Sequence, residues 1–254
     1  MSTTPRVALV TGSTSGIGAE IARTLHARGY AVAVTGRSAE RGRALIRELD
    51  AVTVGRATFH RVDLQEEGAA EEVVRATVER LGALDVVVNN AAVDHVRDLL
   101  EVSSDDVRST FETNTVASIA VMVAAGNAMR AAGGGAIVNV ISRLAAIGVP
   151  GMGVYSASKG ALAAITRTAA VEWAPYGIRV NSVAPGVTRT ALFEEWMAEY
   201  DDPAAQEQVL AGSIPLQRIA EPVDVAHAVA FLADPAAGYI TGVNLPVDGG
   251  YTAQ

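Results

Sequence analysis

Val7-Ala8-Leu9-Val10-Thr11-Gly12-Ser13-Thr14-Ser15-Gly16-Ile17-Gly18 is the stretch on which the fold turns. Four apolar residues without a polar interruption read as a strand buried on both faces, and such strands belong to parallel sheets. The glycines that follow permit a tight turn and close approach of a pyrophosphate to the backbone. A helix starting near Ile17 would then direct its positive end at that charge. The spacing is not G-x-G-x-x-G, and a glycine-rich turn alone can be only a turn. Its position between a strand and a helix is what points to nucleotide binding.

Outward from this unit the same rhythm repeats. Apolar runs at Val7–Val10, Ala31–Val34, Thr58–Val62, Leu84–Val88, Ala136–Ile141, Arg179–Val183 and Val243–Val247 read as seven strands. Helical stretches are expected near 17–28, 39–49, 66–81, 104–131, 153–174 and 222–233. This alternation predicts an α/β fold, a Rossmann-like doubly wound parallel sheet with helices on both faces, in one domain over residues 1–254. Residues 188–217 break the rhythm with helical pieces at Leu192–Tyr200 and Pro203–Leu210. An excursion after the sixth strand lies where such sheets bind ligands, so it is expected to be a substrate lid; the alternative is a surface insertion.

Composition bounds the function. The chain has 254 residues, of which 50% are hydrophobic and 5% aromatic, which suits one large α/β domain. Its net charge is −8 and no basic cluster interrupts the acidic balance, which argues against nucleic acid as a partner. With no cysteine, disulfides, thiolate catalysis and zinc–thiolate sites are excluded. His26, His60, His95 and His227 are scattered without metal-ligand spacing, so no metal is expected. The apolar run behind Met1–Arg6 is too short for a signal segment, and glycine or charge breaks every longer one. A cytoplasmic protein that does not engage membranes is the expectation.

Tyr155 and Lys159 are four residues apart in an expected helix, so phenol and ammonium can share one face. A fixed positive charge beside a tyrosine favours the phenolate and is expected to lower its pKa from about 10 toward neutrality. That would make it a proton donor or acceptor near neutral pH. On its own, Tyr-x-x-x-Lys is as often a surface pair.

The ordered set of motifs resembles the short-chain dehydrogenase/reductase family across essentially the whole chain. Thr11-Gly-x-x-x-Gly-Ile-Gly18 looks like its cofactor motif, Asp63-Leu64 follows the third strand, and Asn89-Asn90-Ala91 follows the fourth. Asn114 lies in the next long helix. Ser142 ends the fifth strand thirteen residues before Tyr155, and Pro185-Gly186 with Thr188 and Thr190 follows the sixth. Tyr239-Ile-Thr-Gly242 and Val247-Asp-Gly-Gly250 match the C-terminal signature. The resemblance implies a catalytic set of Asn114, Ser142, Tyr155 and Lys159. Tyr155 would exchange a proton with the substrate oxygen while the nicotinamide exchanges the hydride. Ser142 would hold that oxygen, Lys159 would lower the tyrosine pKa and bond the nicotinamide ribose, and Asn114 would anchor a relay water. Cofactor contacts would come from Gly12, Ser13, Thr14, Ser15, Gly16, Ile17 and Gly18. Arg37, Asp63, Leu64, Asn90, Ala91, Tyr155, Lys159, Pro185, Gly186, Thr188 and Thr190 would complete them. Ala92 and Ala145 replace frequent glycines, and Arg143 is unusual beside the serine. Asp248 is read as serving the C-terminal turn or a subunit contact.

An acidic residue about 20 residues past the glycine turn would favour NAD through the ribose 2′-hydroxyl. Gly36 stands there and Arg37 follows, so NADP(H) is expected over NAD(H); Ser15 supplies no second basic residue. Val93, Arg143, Leu144, Met152, Val187, Phe193 and Trp196 are the expected pocket, largely apolar, which favours a hydrophobic small-molecule ketone or secondary alcohol. Arg143 could meet a substrate carboxylate or phosphate, or sit in a surface ion pair. A 3-oxoacyl-[acyl-carrier-protein] reductase is the rival; the places that would dock the acidic carrier are Gly133 and Tyr176, neither basic. A non-catalytic cofactor-sensing regulator is a further alternative, although such proteins lose the tyrosine or lysine. The resemblance also implies a homotetramer built on the two long helices. Ala161, Ala164, Thr168 and Val171 form a stripe suited to helix packing there, or else facing the sheet.

Overall fold

Each unbroken apolar run becomes a strand because successive side chains point to opposite faces and both faces are covered. The computed structural model describes residues 4–254. Residues 1–3, the start of the N-terminal stretch discussed above, lie outside the described residues. The chain runs β1 (Val7–Val10), α1 (Gly16–Ala27), β2 (Ala31–Gly36), α2 (Ala39–Val52), β3 (Ala57–Arg61), α3 (Ala69–Leu81) and β4 (Val86–Asn89). It continues through α4 (Ser104–Phe111), a π-helical turn (Glu112–Val116), α5 (Ala117–Ala132), β5 (Gly135–Val140), α6 (Gly153–Trp173) and β6 (Ile178–Pro185). After β6 come α7 (Ala191–Met197), α8 (Pro203–Gly212), α9 (Pro222–Ala233) and β7 (Asn244–Val247).

All strands are parallel, in the order β3-β2-β1-β4-β5-β6-β7. This is the doubly wound sheet expected from the sequence, with strand order reversing between β1 and β4. Ala8 and Val10 join one apolar core with Ile21, Leu25, Val229 and Ala230. Leu9 joins the other with Val121, Met122, Met129 and Leu162. One run of four residues therefore feeds two cores.

The expected helix at 104–131 is three pieces. Ser103 caps α4 by accepting from the Asp106 N–H at 3.1 Å, and the π turn then inserts before α5. By length and composition alone Ser104–Ala132 is apolar enough to cross a membrane, contrary to the reading that charge and glycine interrupt every run. In the fold Val121, Met122, Ala125 and Met129 of this segment are buried in the second core. The small-residue stripe on α6 does not face the sheet. Leu162, Ala163, Thr166, Ala169 and Ala170 do, while Ala164, Thr168 and Val171 are exposed.

The excursion after β6 carries its own small core of Phe193, Met197, Ile214 and Ile219, with Val187, Leu210, Ala211 and Tyr251 against it. Asp202 caps α8 by accepting from the Ala205 N–H at 3.0 Å, with Pro203 pre-set at the first helical position. Arg189 ties the pieces together. It pairs with Glu194 of α7 at 3.0 Å, with Glu221 before α9 at 3.1 Å, and with Glu207 of α8.

Removing that one cation leaves three carboxylates around a vacated centre. Arg189→Ala is expected to increase limited proteolysis between residues 191 and 212 several-fold, while the thermal midpoint, set by the two sheet cores, moves little. Equal cleavage rates in variant and wild type would count against the ion-pair cluster as the fastening.

Candidate active site

The tips of β1 and β4 are locked to each other. The Thr11 hydroxyl accepts from the N–H groups of Asn90 and Ala91 at 3.0 and 3.1 Å. The Asn90 amide donates back to the carbonyls of Thr11 and Gly12 at 3.1 and 3.0 Å. Gly12 has φ +60°, and a β-carbon there would lie 2.7 Å from Ala91 Cα, so only glycine fits. The Ser13 hydroxyl donates to the Val10 carbonyl at 2.6 Å, which makes Ser13 a brace of the turn. Ser15 precedes α1 without a side-chain capping bond, and no acidic residue stands in the first turn. A glycine cradle and an unclaimed helix start fit a dinucleotide's pyrophosphate.

The residues expected to read the rest of a cofactor border the same crevice. Arg37 is exposed just past β2. Gly36 has a packing reason of its own, because a β-carbon there would come within 2.8 Å of the Thr14 side chain. Asp63 and Leu64 are half-buried after β3, with Asp63 accepting from the Gln65 N–H at 3.2 Å. Gly186 follows Pro185 at the end of β6. Thr188 is buried and donates its hydroxyl to the Gly186 carbonyl at 3.1 Å. Thr190 instead faces the glycine turn: a β-carbon on Gly16 would lie 3.6 Å from its methyl group.

The residues expected to form the acid–base set sit at the end of β5 and the start of α6. Ser142 continues β5 in extended conformation, its hydroxyl accepting from the Leu144 N–H at 3.1 Å. Tyr155 lies in the first turn of α6 and Lys159 one turn on. Lys159 is 2% exposed, and its ammonium donates to the Val140 carbonyl at 2.9 Å. Nζ stands 5.7 Å from the centre of the Tyr155 ring.

This arrangement corrects the expected electrostatics. Burial pushes the Tyr155 phenol up to about 12, with Asp94 adding to the rise and a hydrogen bond with Ser142 opposing it. Burial pulls Lys159 down to about 8. The desolvation of both groups outweighs the attraction that sequence spacing suggested. Tyr155 is therefore protonated throughout the physiological range.

Asn114 is fully buried in the π turn, and its side chain is already engaged. Its amide oxygen accepts from the Val93 N–H at 2.8 Å, and its nitrogen donates to the Val93 carbonyl at 2.8 Å and the Ser158 hydroxyl at 3.1 Å. The expected water anchor is thus, in its side chain, a clamp between the loop after β4 and α6.

Val93, Arg143, Leu144, Met152 and Val187 are all half-buried, and Trp196 is 37% exposed. Phe193 departs from the expected pocket: it is 5% exposed and turned into the small core of the excursion, which makes it a support. A cavity of 550 Å³ lies to one side, between Val187, Ile214, Leu216 and Asp248–Gly250, and neither Ser142, Tyr155 nor Lys159 lines it. Among the described residues Arg143 forms no ion pair; its guanidinium stacks 3.9 Å from the Tyr251 ring centre. Asp248 serves the C-terminal turn, accepting from Gly250 N–H, Thr252 N–H and the Thr252 hydroxyl at 3.0, 3.0 and 2.6 Å. His95 is half-buried opposite the Ser109 hydroxyl at 3.3 Å.

Four contributors escaped the sequence reading. Arg61 ends β3 in register with Gly36 and donates to the Arg37 carbonyl at 3.2 Å, so two arginines border the β2 tip. Strand register was the signal that would have found it. Asp94 acts on Tyr155 from the loop after β4, Ser158 completes the Asn114 clamp, and Tyr251 reaches Arg143 from the C-terminus. The place expected to lack a basic residue also holds one: Arg130 stacks 4.2 Å from the Tyr176 ring centre.

A family model described as enoyl-(acyl carrier protein) reductase matches residues 12–252. The chain is 42% identical over 250 residues to the cis-4-hydroxycyclohexanecarboxylate dehydrogenase of Sinomonas cyclohexanicum, covering 98% of this chain and 97% of that one. It is 35% identical over 252 residues to the D-threitol dehydrogenase of Mycolicibacterium smegmatis, covering 98% and 94%. It superposes on ElxO with NADP bound at a TM-score of 0.92 and 31% identity, covering 99% and 100%. The chain belongs to the short-chain dehydrogenase/reductase family. Relatives in it are oxidoreductases of alcohols and ketones, and this solved neighbour holds a nicotinamide cofactor.

Lys159 supplies a stability test of the electrostatics. Its folded pKa of about 8 lies below the ordinary 10.5, so the unfolded chain binds the proton more tightly. The resulting penalty is full below pH 8 and fades as pH rises toward 10.5. Lys159→Met is expected to raise the thermal midpoint at pH 7 by a few degrees, with the gain shrinking by pH 10. A gain independent of pH, or a loss, would contradict the burial penalty.

Proposed function

We propose that this protein is an NADP(H)-dependent oxidoreductase that interconverts a ketone and a secondary alcohol on a small substrate with an apolar body, Tyr155 being the general acid/base. The observation that carries this reading is the meeting of Ser142, Tyr155 and a buried Lys159 at the sheet edge whose neighbouring strands hold the glycine cradle. A nicotinamide bound there supplies or accepts the hydride. Gly12, Gly16 and the start of α1 would hold the pyrophosphate. Asp63, Leu64, Asn90, Ala91, Gly186 and Thr190 would hold the remainder.

In the reducing direction Tyr155 donates its phenolic proton to the carbonyl oxygen, for which its raised pKa keeps it loaded. Ser142 hydrogen-bonds the same oxygen and orients it. Lys159 in its charged form stabilises the phenolate left behind, and Asn114 keeps α6 and the loop after β4 in place. The whole chain works as one domain, and residues 188–217 act as a lid that excludes water. The preference for NADP(H) rests on Arg37 and Arg61, two guanidiniums able to grip a 2′-phosphate. The exposed α6 stripe supports a homotetramer, and a cytoplasmic setting completes the reading.

One observation favours the rival 3-oxoacyl-[acyl-carrier-protein] reductase, the Arg130 guanidinium over Tyr176, where an acidic carrier would dock. Faster turnover of a carrier-bound 3-oxoacyl thioester than of any free ketone would decide for it.

Tyr155→Phe is expected to lower kcat about 10²–10⁴-fold with NADPH affinity retained. Near-wild-type turnover would remove Tyr155 as the proton donor. Arg37→Asp, and more strongly the pair Arg37→Asp with Arg61→Ala, is expected to collapse the NADPH-over-NADH ratio of kcat/KM. An unchanged ratio would sink the 2′-phosphate assignment.

A further inference from the structure

Arg143 follows Ser142 directly, so its backbone is fixed by the turn that presents the serine hydroxyl. Its guanidinium is half-buried and lies over the Tyr251 ring at 3.9 Å. Among the described residues it makes no ion pair within 4.0 Å and no hydrogen bond. Stacking engages the face of a guanidinium and leaves its five in-plane N–H donors open. Asp248 acts on it only at a distance, its carboxylate being turned to the Gly250 and Thr252 donors. Burial draws Arg143 below its ordinary pKa, with Tyr251 and Asp248 opposing the fall. Arg189, within the excursion, differs in being held by three carboxylates.

Sheet order gives the cleft a polarity. Asp94 follows β4, Ser142 follows β5, and Arg143 leans toward Tyr251, which follows β7. Asp94 thus acts on Tyr155 from one side, while the Arg143 guanidinium, without a direct ion-pair contact and with Asp248 acting on it only at a distance, stands on the other. A neutral ketone would leave the Arg143 donors to water. A carboxylate on the substrate would take them bidentately and would be turned away from Asp94.

We propose that Arg143, held flat by Tyr251, is a specificity-determining residue that anchors a carboxylate on the substrate. The substrate is then a keto acid or hydroxy acid whose apolar body separates the reacting carbon from the acid group. This rests on the oxidoreductase reading above for the reaction but not for the binding.

The test uses a matched pair of aryl ketones, 4-acetylbenzoate and 4-acetylbenzamide, with enzyme saturated by NADP⁺ for calorimetric binding and by NADPH for turnover. The wild type is expected to bind the acid at least tenfold more tightly than the amide. Arg143→Gln is expected to bring the two affinities within a factor of two, while Arg143→Lys, which keeps the charge without the fork, retains part of the preference. Tyr251→Ala is expected to weaken the preference and Tyr251→Phe to keep it. Equal binding of acid and amide by the wild type, or a preference unchanged in Arg143→Gln, would overturn the proposal. Arg143-dependent acid binding without NADPH oxidation on any ketone would leave the anion site standing and remove the oxidoreductase reading. Retained acid preference in Arg143→Lys guards against mistaking a misfolded Arg143→Gln for a lost contact.

Discussion

The close contact between the turn after β1 and the turn after β4 is the constraint on which the site depends. Thr11 and Asn90 exchange hydrogen bonds across it, and Gly12 comes so near Ala91 that a β-carbon cannot be accommodated. This contact sits where strand order reverses, between the two halves of the sheet. It keeps the strand tips level, so that side chains from β2 through β7 open on one crevice. Lower down, apolar residues of the same strands feed two cores from alternating positions, and at the foot of β1 the Asp85 carboxylate accepts from the Val7 N–H at 2.7 Å.

A second layer of polar contacts holds the chemistry in place. The Asn114 amide joins the Val93 backbone to Ser158 on α6, and the Ser158 hydroxyl donates to the Tyr155 carbonyl at 2.7 Å. Lys159 is fastened to the Val140 carbonyl, which ties α6 to the end of β5 beside Ser142. These groups are buried, and each hydrogen bond in such a place costs more to lose than the same bond at the surface. Asn114, Ser158 and Lys159 are thereby held out of water. Burial shifts both pKa values toward the neutral form, Tyr155 up to about 12 and Lys159 down to about 8, which spacing along a helix would not suggest.

Much of this was legible in the chain. The seven runs became seven strands; the central ones are short apolar runs buried on both faces, while the edge strand β3 keeps His60 and Arg61. Tyr155 and Lys159 could be placed on one helix face from their four-residue spacing, while the glycine turn and Ser142 were picked out by resemblance to the family's motifs. Other features were hidden for physical reasons. The π turn at Glu112–Val116 has no periodic signature in five residues. Phe193 read as a pocket wall because an apolar residue in an excursion does not reveal which side it faces. Arg61 became visible only through its register with Gly36, and Tyr251 only through its stack with Arg143.

The sequence by itself determined the element order and, through its ordered motifs, the family and the candidate site residues, since these are matters of local pattern. Tertiary structure decided the protonation states and the partners. Those depend on burial and on groups brought together from distant parts of the chain: Val140 with Lys159, Asp94 with Tyr155, Tyr251 with Arg143. Electrostatic free energy follows solvent exposure and distance through space, and neither is recorded in spacing along the chain.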